Sequence, residues 1–190
     1  VKGSPEDMLR LCARYEDGEQ TPVLDDAARE HALALFEALS RDGFRVLGIA
    51  WRQTPPHQDH AVVTDESELV FCGFAAFLDP PKASAAPALA ALAASGVVVK
   101  IVSGDNELVA RYICDKLGVA IAGVLSGADI QAMSDPALHA QVERVNLFCR
   151  VTPAQKTRII EALRARGHVV GFLGDGINDA PALHAANVGI

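Results

Sequence analysis

The sequence lacks the features of several protein classes. Its 190 residues carry fewer basic than acidic groups, and the formal net charge of −7 argues against a nucleic-acid-binding surface, which is normally basic. No run of like charges resembles a binding tail. No stretch approaches about 18 consecutive apolar residues and no signal peptide opens the chain, so the sequence predicts a soluble piece without a membrane span.

Cysteine is also scarce. The four cysteines, Cys12, Cys72, Cys114 and Cys149, show no Cys-x-x-Cys spacing. In a chain of this length, that pattern favours reduced, mostly buried thiols in a cytosolic protein over a disulfide or a zinc site. Hydrophobic residues make up 50% of the sequence, so the chain has the material for a buried core.

Both ends of the chain have the character of strand interiors. The first residue is Val1 rather than Met, and residues 188–190 read Val-Gly-Ile. We therefore expect that both ends are cut from a longer protein. The length between them suits one large domain or two small ones.

The first part of the chain, residues 1–73, mixes helices and strands. Apolar spacing predicts an edge strand at residues 1–3, helices over residues 5–13 and 25–41, a strand at Phe44–Trp51, a loop over residues 54–60 and the start of a strand at Leu69–Leu78. On the longer helix, Ala28, Ala32, Leu35 and Leu39 are predicted to form the buried face. Pro80 and Pro81 cannot continue a central strand, so a boundary is expected close by.

The second part, residues 74–190, alternates regularly between strands and helices. Strands are predicted over residues 97–102, 145–151, 169–173 and 188–190, and helices over residues 84–95, 105–117 and 153–166. The last helix is predicted to begin with a capping box at residues 152–155, Thr-Pro-Ala-Gln. The continuous apolar run at residues 97–102 is typical of a strand that is covered on both faces. The alternation predicts an α/β fold with a doubly wound parallel sheet, in which ligands bind at the carboxyl ends of the strands.

A turn rich in carboxylates follows the predicted strand at residues 169–173. Asp175, Asn178 and Asp179 supply hard oxygen ligands there, which Mg²⁺ prefers together with phosphate oxygens. Gly174 and Gly176 leave room for the backbone to approach a phosphate closely. The alternative is an ordinary corner between a strand and a helix, since Asp and Gly are common in turns.

Two further groups follow predicted strand ends. Ser103, Gly104 and Asp105 offer a hydroxyl and a helix N-terminus to a phosphate, and Lys156 lies in the first turn of the helix predicted over residues 153–166. Taken singly, Ser103 to Asn106 could be only a helix cap and Lys156 only a solvated charge. Together with the carboxylates, they form the set that phosphoryl transfer needs for positioning and charge neutralisation.

These motifs resemble those of a known family. Residues 174–183, Gly-Asp-Gly-Ile-Asn-Asp-Ala-Pro-Ala-Leu, resemble the hinge signature of P-type ATPases, cation pumps of the haloacid dehalogenase-like superfamily that phosphorylate themselves on an aspartate. Further similar segments are residues 2–6, 43–47, 79–82, 103–105 and 152–156. Residues 77–82, 103–107, 126–130 with Met133, and 171–183 are most similar to the bacterial magnesium-transporting branch.

The resemblance implies an architecture and a cellular setting. Residues 1–73 would be the C-terminal part of an α+β nucleotide-binding domain, and residues 74–190 most of a haloacid dehalogenase-like phosphorylation domain. The piece would be cytoplasmic, in a pump that spans a bacterial inner membrane several times. Actuator and transmembrane domains outside this chain would be its partners, and the membrane domain would handle the transported cation. The expected cation is Mg²⁺.

The resemblance also implies roles for individual residues, with ATP and Mg²⁺ as cofactors. Lys2, Gly3 and Arg45 would hold ATP, Gly104 and Asp105 would lie at the nucleotide and the hinge, and Lys82 would lie in the hinge. Ser103 and Lys156 would hold phosphoryl oxygens, Asp175 would bind Mg²⁺ with support from Asp179, and Asn178 would belong to the catalytic turn. Taken singly, Lys2 could be a plain edge-strand lysine and Arg45 a surface arginine.

The chain departs from the family pattern at three points. Ser103 stands where most relatives have Thr, and Lys82 stands where many have Arg, which loses a bidentate fork but keeps the charge. The segment Asp-Lys-Thr-Gly-Thr, which bears the phosphorylated aspartate, is absent from the sequence, and we expect it upstream of Val1. The piece alone is therefore not expected to form the phosphoenzyme.

Other functions remain possible at this point. A free-standing haloacid dehalogenase-like phosphatase would need an Asp-x-Asp nucleophile near its N-terminus, and residues 1–73 contain none followed by the expected strand. A non-catalytic nucleotide-binding module would leave Asp175, Asn178 and Asp179 unused. A P-type ATPase specific for another cation is also open, because the transported ion is decided in membrane helices.

Overall fold

The computed structural model describes residues 1–54, 60, 62–174 and 176–190. These residues form two compact units, Val1–Asp79 and Pro80–Ile190. Across the described part of the chain, no helix combines the length and the apolar character needed to cross a membrane.

The first unit is a mixed sheet with helices. In chain order its elements are β1 (Lys2–Gly3), α1 (Pro5–Leu11), β2 (Cys12–Tyr15), α2 (Asp26–Arg41), β3 (Phe44–Trp51) and β4 (Leu69–Leu78), with a 3-10 turn at Val63–Asp65. Among the described residues the sheet has the order β1-β3-β4-β2, in which only the β2–β4 pair is parallel. The predictions of β3 and β4 are confirmed to the residue.

The predicted helix over residues 5–13 was too long. The helix ends at Leu11 because Cys12 adopts extended backbone and joins β4, where Cys12 lies opposite Leu69. Helix α1 then packs closely on the sheet. A Cβ atom at Gly48 of β3 would lie 2.7 Å from the Cβ of Met8, so only glycine allows this approach.

The predicted buried face of α2 was partly wrong. Ala32 is buried as expected, but Leu35 is 49% exposed and Phe36 is only 5% exposed. The ring of Phe36 lies 6.3 Å from that of Phe74 on β4, centroid to centroid. Burying an aromatic ring removes more apolar surface from water than burying Leu35 would. The helix is therefore oriented with Phe36, rather than Leu35, towards the sheet.

The second unit is built on parallel strands. Its elements are α3 (Ala85–Ala94), β5 (Ile101–Val102), α4 (Glu107–Leu117), β6 (Val124–Ser126), α5 (Gly127–Ala132), α6 (Asp135–Gln141), β7 (Leu147–Cys149), α7 (Pro153–Ala165), β8 (Gly171–Phe172), α8 (Ala180–Ala185) and β9 (Val188–Gly189), with a 3-10 turn at Ile177–Asp179. Within the described residues, β5, β7 and β6 form one parallel sheet in that order, and β8 and β9 form another. The α/β class is confirmed.

The strands of this unit are shorter than predicted. Residues 97–102 pair only at Ile101–Val102, and residues 169–173 only at Gly171–Phe172. In the described structure, β5 and β8 each have a hydrogen-bonded neighbour on one side only. Val98 is 77% exposed, so the prediction that residues 97–102 are covered on both faces was wrong. A strand without a second neighbour has fewer ladder hydrogen bonds to define its ends.

The core of the second unit surrounds β7. Leu147, Phe148 and Cys149 are no more than 1% exposed, and the packed residues around them come from β6 and helices α4 to α7. The four cysteines are free; Cys12, Cys114 and Cys149 are buried and Cys72 is exposed. Burial raises the pKa of the Cys12 and Cys149 thiols to about 11.

Candidate functional site

Polar groups of the second unit gather where its parallel strands end. Val102 and Leu125 both lie opposite Phe148, so β5, β6 and β7 finish at the same edge of the sheet. The chain segments that follow begin at Ser103, Gly127 and Arg150. The carboxyl edge of a parallel sheet is where α/β proteins bind ligands.

The first of these segments forms a tight turn. The Ser103 hydroxyl donates to Asp105 Oδ2 at 3.1 Å and accepts from the Asp105 backbone N–H at 3.0 Å. The cap of α4 is instead Asn106, whose Oδ1 accepts from the Val109 N–H at 3.0 Å. The helix-cap alternative is therefore correct for Asn106, whereas Ser103 and Asp105 form the turn ahead of the helix. Gly104 between them is exposed.

Helix α7 begins with the predicted capping box. Thr152 Oγ1 accepts from the Gln155 N–H at 3.3 Å, and Gln155 Oε1 accepts from the Thr152 N–H at 2.9 Å. This box sets the residue at which the helix begins, and Lys156 lies in the first turn. The Lys156 Nζ donates to Asp179 Oδ1 at 2.6 Å, and the two side chains are only 16% and 11% exposed. Lys156 is thus not a solvated surface charge.

Asp179 folds back over the glycine turn that precedes it. A Cβ atom at Gly174 would lie 2.8 Å from the Asp179 Cβ and 2.9 Å from its Oδ2, and one at Gly176 would lie 3.4 Å from Oδ2. The Asp179 N–H also donates to the Gly176 carbonyl at 2.8 Å. Gly174 therefore makes room for the carboxylate, whereas a side chain at Gly176 would only be in van der Waals contact with it. Asp175 between them lies outside the described residues, and Asn178 is exposed.

Among the described residues around this turn, the Lys156–Asp179 pair is the most strongly desolvated ion pair. Taking both charges out of water is costly, and their attraction offsets this only while both are present. Removing either partner would leave the other charge nearly buried and unpaired. Among the described residues, which exclude Asp175, no cluster of three or more His, Cys, Asp or Glu side chains is placed to hold a metal ion.

In the first unit, the predicted ATP-binding cations lie on one face of the sheet. Lys2 is directly opposite Ile49, and Ile49 and Arg45 lie on the same face because they are four residues apart on β3. The opposite face, with Val46, carries the helices. Arg45 Nη1 donates to Asp79 Oδ2 at 3.3 Å, and both side chains are more than half exposed.

Two predicted site residues have other structural surroundings. Gly3 is opposite Gly48, and a Cβ atom at Gly3 would lie 3.0 Å from the Met8 Cε. Gly3 therefore packs against the mobile end of the Met8 side chain of α1, on the face away from Lys2. Lys82 is exposed in the segment that leads to α3, where its carbonyl accepts from the Ala85 N–H.

Sequence reasoning missed one contact beside the site. The Gln155 Nε2 donates to the Gly127 carbonyl at 2.8 Å, joining the start of α7 to the end of β6. Strand β6 and helices α5 and α6 were not predicted. A usable signal was present, because Ser126 and Asp129 form a second capping box.

Comparison with known proteins identifies the family of the chain. The model of a family described as haloacid dehalogenase-like hydrolase matches residues 33–187. The chain belongs to the haloacid dehalogenase-like hydrolases. This membership confirms the haloacid dehalogenase-like fold expected for the second part of the chain.

Several curated members of P-type ATPase families are similar to this haloacid dehalogenase-like chain over its whole length. The magnesium-transporting ATPase, P-type 1, of Salmonella typhimurium strain LT2 is 45% identical over 189 residues, and that of Escherichia coli K12 is 44% identical. The probable cation-transporting ATPase F of Mycobacterium tuberculosis H37Rv is 40% identical over 201 residues. Each alignment covers 100% of this chain but only 21% or 22% of the relative. The predicted resemblance to the magnesium-transporting branch is confirmed.

Proposed function

We propose that this chain is part of an ATP-driven P-type cation pump that works through an aspartyl-phosphate intermediate. Residues 1–73 would be the C-terminal part of the nucleotide-binding domain and residues 74–190 most of the phosphorylation domain. The observation that carries this proposal is the nearly buried pair between Lys156 Nζ and Asp179 Oδ1, at 2.6 Å, beside a glycine turn. Such a pair holds an ammonium ready where phosphoryl oxygens would bind.

Lys156 and Ser103 would neutralise and orient the phosphoryl group. Phosphoryl transfer needs little covalent chemistry from the protein beyond a nucleophile, so positioning and charge provide most of the catalysis. The Lys156 ammonium has further protons to donate besides the one directed at Asp179. The Ser103 hydroxyl now donates to Asp105, and a rotation about its Cα–Cβ bond would turn it to a phosphoryl oxygen.

Asp175 and Asp179 are the residues that would hold Mg²⁺, and Asn178 would support the same turn. Their chemistry fits the ion, because Mg²⁺ prefers carboxylate oxygens completed by water and phosphate oxygens. When bound, Mg²⁺ would neutralise charge on the transferred group. The Asp179 carboxylate already lies against Gly174 and Gly176 of this turn and accepts a hydrogen bond from Lys156.

Lys2 and Arg45 would contact ATP from the open face of the first sheet. Their shared face is free of the helices that cover the other side, and the apolar side chains of Leu47 and Ile49 lie between them. Cations above apolar surface suit a ligand with a flat base and a charged phosphate chain. The remainder of the ATP site would lie outside this chain, so we expect a weak ATP affinity, roughly millimolar.

The nucleophilic aspartate would lie on a strand outside this chain. The sequence contains no Asp-Lys-Thr-Gly-Thr segment, and the chain spans 21% of the magnesium-transporting relatives. Apolar side chains in the segments next to β5 and β8 along the chain are exposed, among them Val98, Val169 and Leu173. A further apolar strand would cover these side chains and supply the missing hydrogen bonds.

The remaining parts of the pump follow from the relatives. Actuator and transmembrane domains would lie outside this chain, which would face the cytoplasm while the pump crosses a bacterial inner membrane. Magnesium is the proposed cargo because the 45% and 44% identical relatives are named magnesium-transporting ATPases. A cation other than Mg²⁺ is the alternative cargo, because the 40% identical relative is named a probable cation-transporting ATPase. Uptake of Mg²⁺ and other divalent cations by cells expressing the full-length protein distinguishes the two.

Labelling with ATP radioactive in its γ-phosphate tests the mechanism. The 190-residue chain should incorporate no acid-stable label, because no carboxylate in it occupies the nucleophile's strand. The chain extended upstream through the Asp-Lys-Thr-Gly-Thr segment should label, and the same extended chain with that aspartate changed to Asn should not. Stable label on any aspartate of the 190-residue chain would overturn the proposal.

A further inference from the structure

Three strand ends of the second unit converge on Gly127. This buried residue follows β6, and a methyl group on its Cα would overlap the carbonyl oxygen of Arg150 at the end of β7. The Arg150 N–H donates to the Asp105 carbonyl at 2.9 Å, and the Val151 N–H donates to the Ser103 carbonyl at 3.1 Å. The turn of Ser103 and Asp105 is therefore tied through the backbone to the end of β7, and the end of β7 is packed on Gly127.

Gln155 joins this junction to the helix that carries Lys156. Its Oε1 accepts from the Thr152 N–H at 2.9 Å, and its Nε2 donates to the Gly127 carbonyl at 2.8 Å. The first contact belongs to the capping box and could be made equally by a glutamate. The second contact requires the amide, because a carboxylate has no proton to donate.

We propose that Gln155 is a positioning residue, whose amide contact with Gly127 sets Lys156 relative to the turn of Ser103 and Asp105. This inference rests on the proposed function of Lys156. The contact spans 28 residues of sequence and links the first turn of α7 to the junction of three strand ends. Without it, the cap still starts the helix, but the first turn can shift along the edge of the sheet. Small displacements of a charge-neutralising group are costly for catalysis.

Two substitutions in the full-length protein separate positioning from capping. Gln155→Glu keeps the capping acceptor and removes the donor to Gly127, whereas Thr152→Ala weakens the cap and keeps that donor. The readout is the rate at which acetic anhydride modifies Lys156, followed by mass spectrometry without ATP or Mg²⁺. Lys100, half-buried and held by the Glu143 and Val145 carbonyls of the same unit, is the internal control for general loosening.

Gln155→Glu should raise the modification rate of Lys156 about fivefold, the effect of one lost hydrogen bond on a local equilibrium, and leave Lys100 unchanged. The added carboxylate cannot cause this rise, because a nearby negative charge keeps a lysine protonated and less reactive. Thr152→Ala should change the rate less than about twofold, since the contact that sets the position remains. In ATP hydrolysis, Gln155→Glu should lower kcat roughly tenfold with little change in KM.

The positioning role is wrong if Gln155→Glu leaves the Lys156 rate at the parent value, or if Thr152→Ala raises it equally. If the charged variant folds poorly, Gln155→Met, which is neutral and of similar length, removes both contacts of the side chain, and a Lys156 rate no higher than that of Thr152→Ala would contradict the positioning role. Lys156→Met serves as the separate check on the proposed function. Should that variant keep its kcat, Lys156 has no catalytic part, yet the labelling comparison still decides whether Gln155 positions it.

Discussion

In Val1–Asp79 the proposed ligand-binding cations project from the face of a sheet, whereas in Pro80–Ile190 the proposed phosphoryl-binding groups follow the ends of strands. Lys2 and Arg45 share a face only because of how β1 pairs with β3. Ser103 and Lys156 lie in the segments that follow β5 and β7, and these parallel strands finish at one edge of the sheet. A site on a face therefore depends on strand register, and a site at strand ends depends on strand direction.

The two sites also differ in their surroundings. Arg45 and Asp79 form an ion pair with 54% and 69% of their side chains exposed, so it contributes little to stability. The side chains of the Lys156–Asp179 pair are 16% and 11% exposed, so each charge needs its partner to offset the free-energy cost of removing it from water. Substitutions in the second unit should therefore have larger effects than matched substitutions in the first.

The largest expected effect is at Asp175, in the strand-end site. Asp175→Asn in the full-length protein should lower ATP hydrolysis about 100-fold to 1,000-fold, because a charge that would bind Mg²⁺ is removed. Asp115→Asn, at an exposed position of α4, is the matched control and should stay within about twofold of the parent. Hydrolysis near the parent rate in Asp175→Asn would make that carboxylate structural.

Breaking the buried ion pair should destabilise the second unit strongly. Lys156→Met leaves the Asp179 carboxylate nearly buried without its partner, and the free energy of unfolding should fall by about 3 kcal/mol. Adding Asp179→Asn removes the stranded charge and should restore part of that loss, as measured by urea denaturation. A double variant no more stable than Lys156→Met would show that the two charges are not coupled.

The junction at Gly127 gives a test of close packing. Gly127→Ala places a methyl group against the Arg150 carbonyl and should lower the free energy of unfolding by about 2 kcal/mol. Gly171→Ala adds the same methyl group where its nearest neighbour among the described residues, the Val188 carbonyl oxygen, is 3.9 Å away, and should have a smaller effect. Equal denaturation midpoints for the two variants would contradict the close approach.

On the face site, single cations should matter moderately. Lys2→Ala and Arg45→Ala should each weaken ATP binding about tenfold, the effect of losing one charge-assisted hydrogen bond. ATP titrations followed by backbone amide NMR shifts measure this, with Arg10→Ala, an exposed cation on α1, as the control. Spectra of the parent chain that stay unchanged at several millimolar ATP, the range expected for so weak an affinity, would count against the assignment.

The smallest effect concerns an exposed ion pair of the second unit. Glu143 accepts from Arg166 at 2.9 Å and contacts His168 at 2.7 Å, and these hydrogen bonds lower its pKa from 4.5 to about 2. A carboxyl whose pKa is lower in the folded state contributes stability above its unfolded pKa and loses it as pH falls from 4.5 towards 2.

Glu143→Gln should therefore lower Tm slightly at pH 7, and the difference from the parent should shrink below pH 4.5. Added salt should also reduce the difference, because the side chain is 37% exposed. Thermal unfolding at several pH values measures it. A difference that grows on acidification would contradict the depressed pKa.

The sequence was most informative where chemistry and backbone constraint coincide. The glycine at position 174 precedes a carboxylate at position 179, and the structure gives the reason: Asp179 occupies the space that a side chain at Gly174 would fill. The capping box of Thr152 and Gln155 likewise located the start of α7. Such local patterns define their own backbone geometry, so they can be recognised in the sequence without knowledge of the fold.

Features that depend on distant partners were not predictable. The face of α2 is decided by the contact of Phe36 with Phe74, and the lengths of β5 and β8 by which neighbours they have. The Gln155 contact to Gly127 spans 28 residues and has no local signature. Whether Asp175 joins Asp179 remains a prediction from the sequence, since Asp175 lies outside the described residues.

The distribution of thiols makes the chain suited to attachment of a single reporter group. All four cysteines lie in the described residues, and Cys72 is the exposed one, whereas the other three are buried. A maleimide dye or spin label should therefore attach to β4 without replacement of the others. Because partial burial of the sulfur and the nearby Glu16 carboxylate raise the pKa of the Cys72 thiol, a mildly alkaline buffer is needed to form enough thiolate. The reporter would sit on the strand that leads to Asp79, the partner of Arg45.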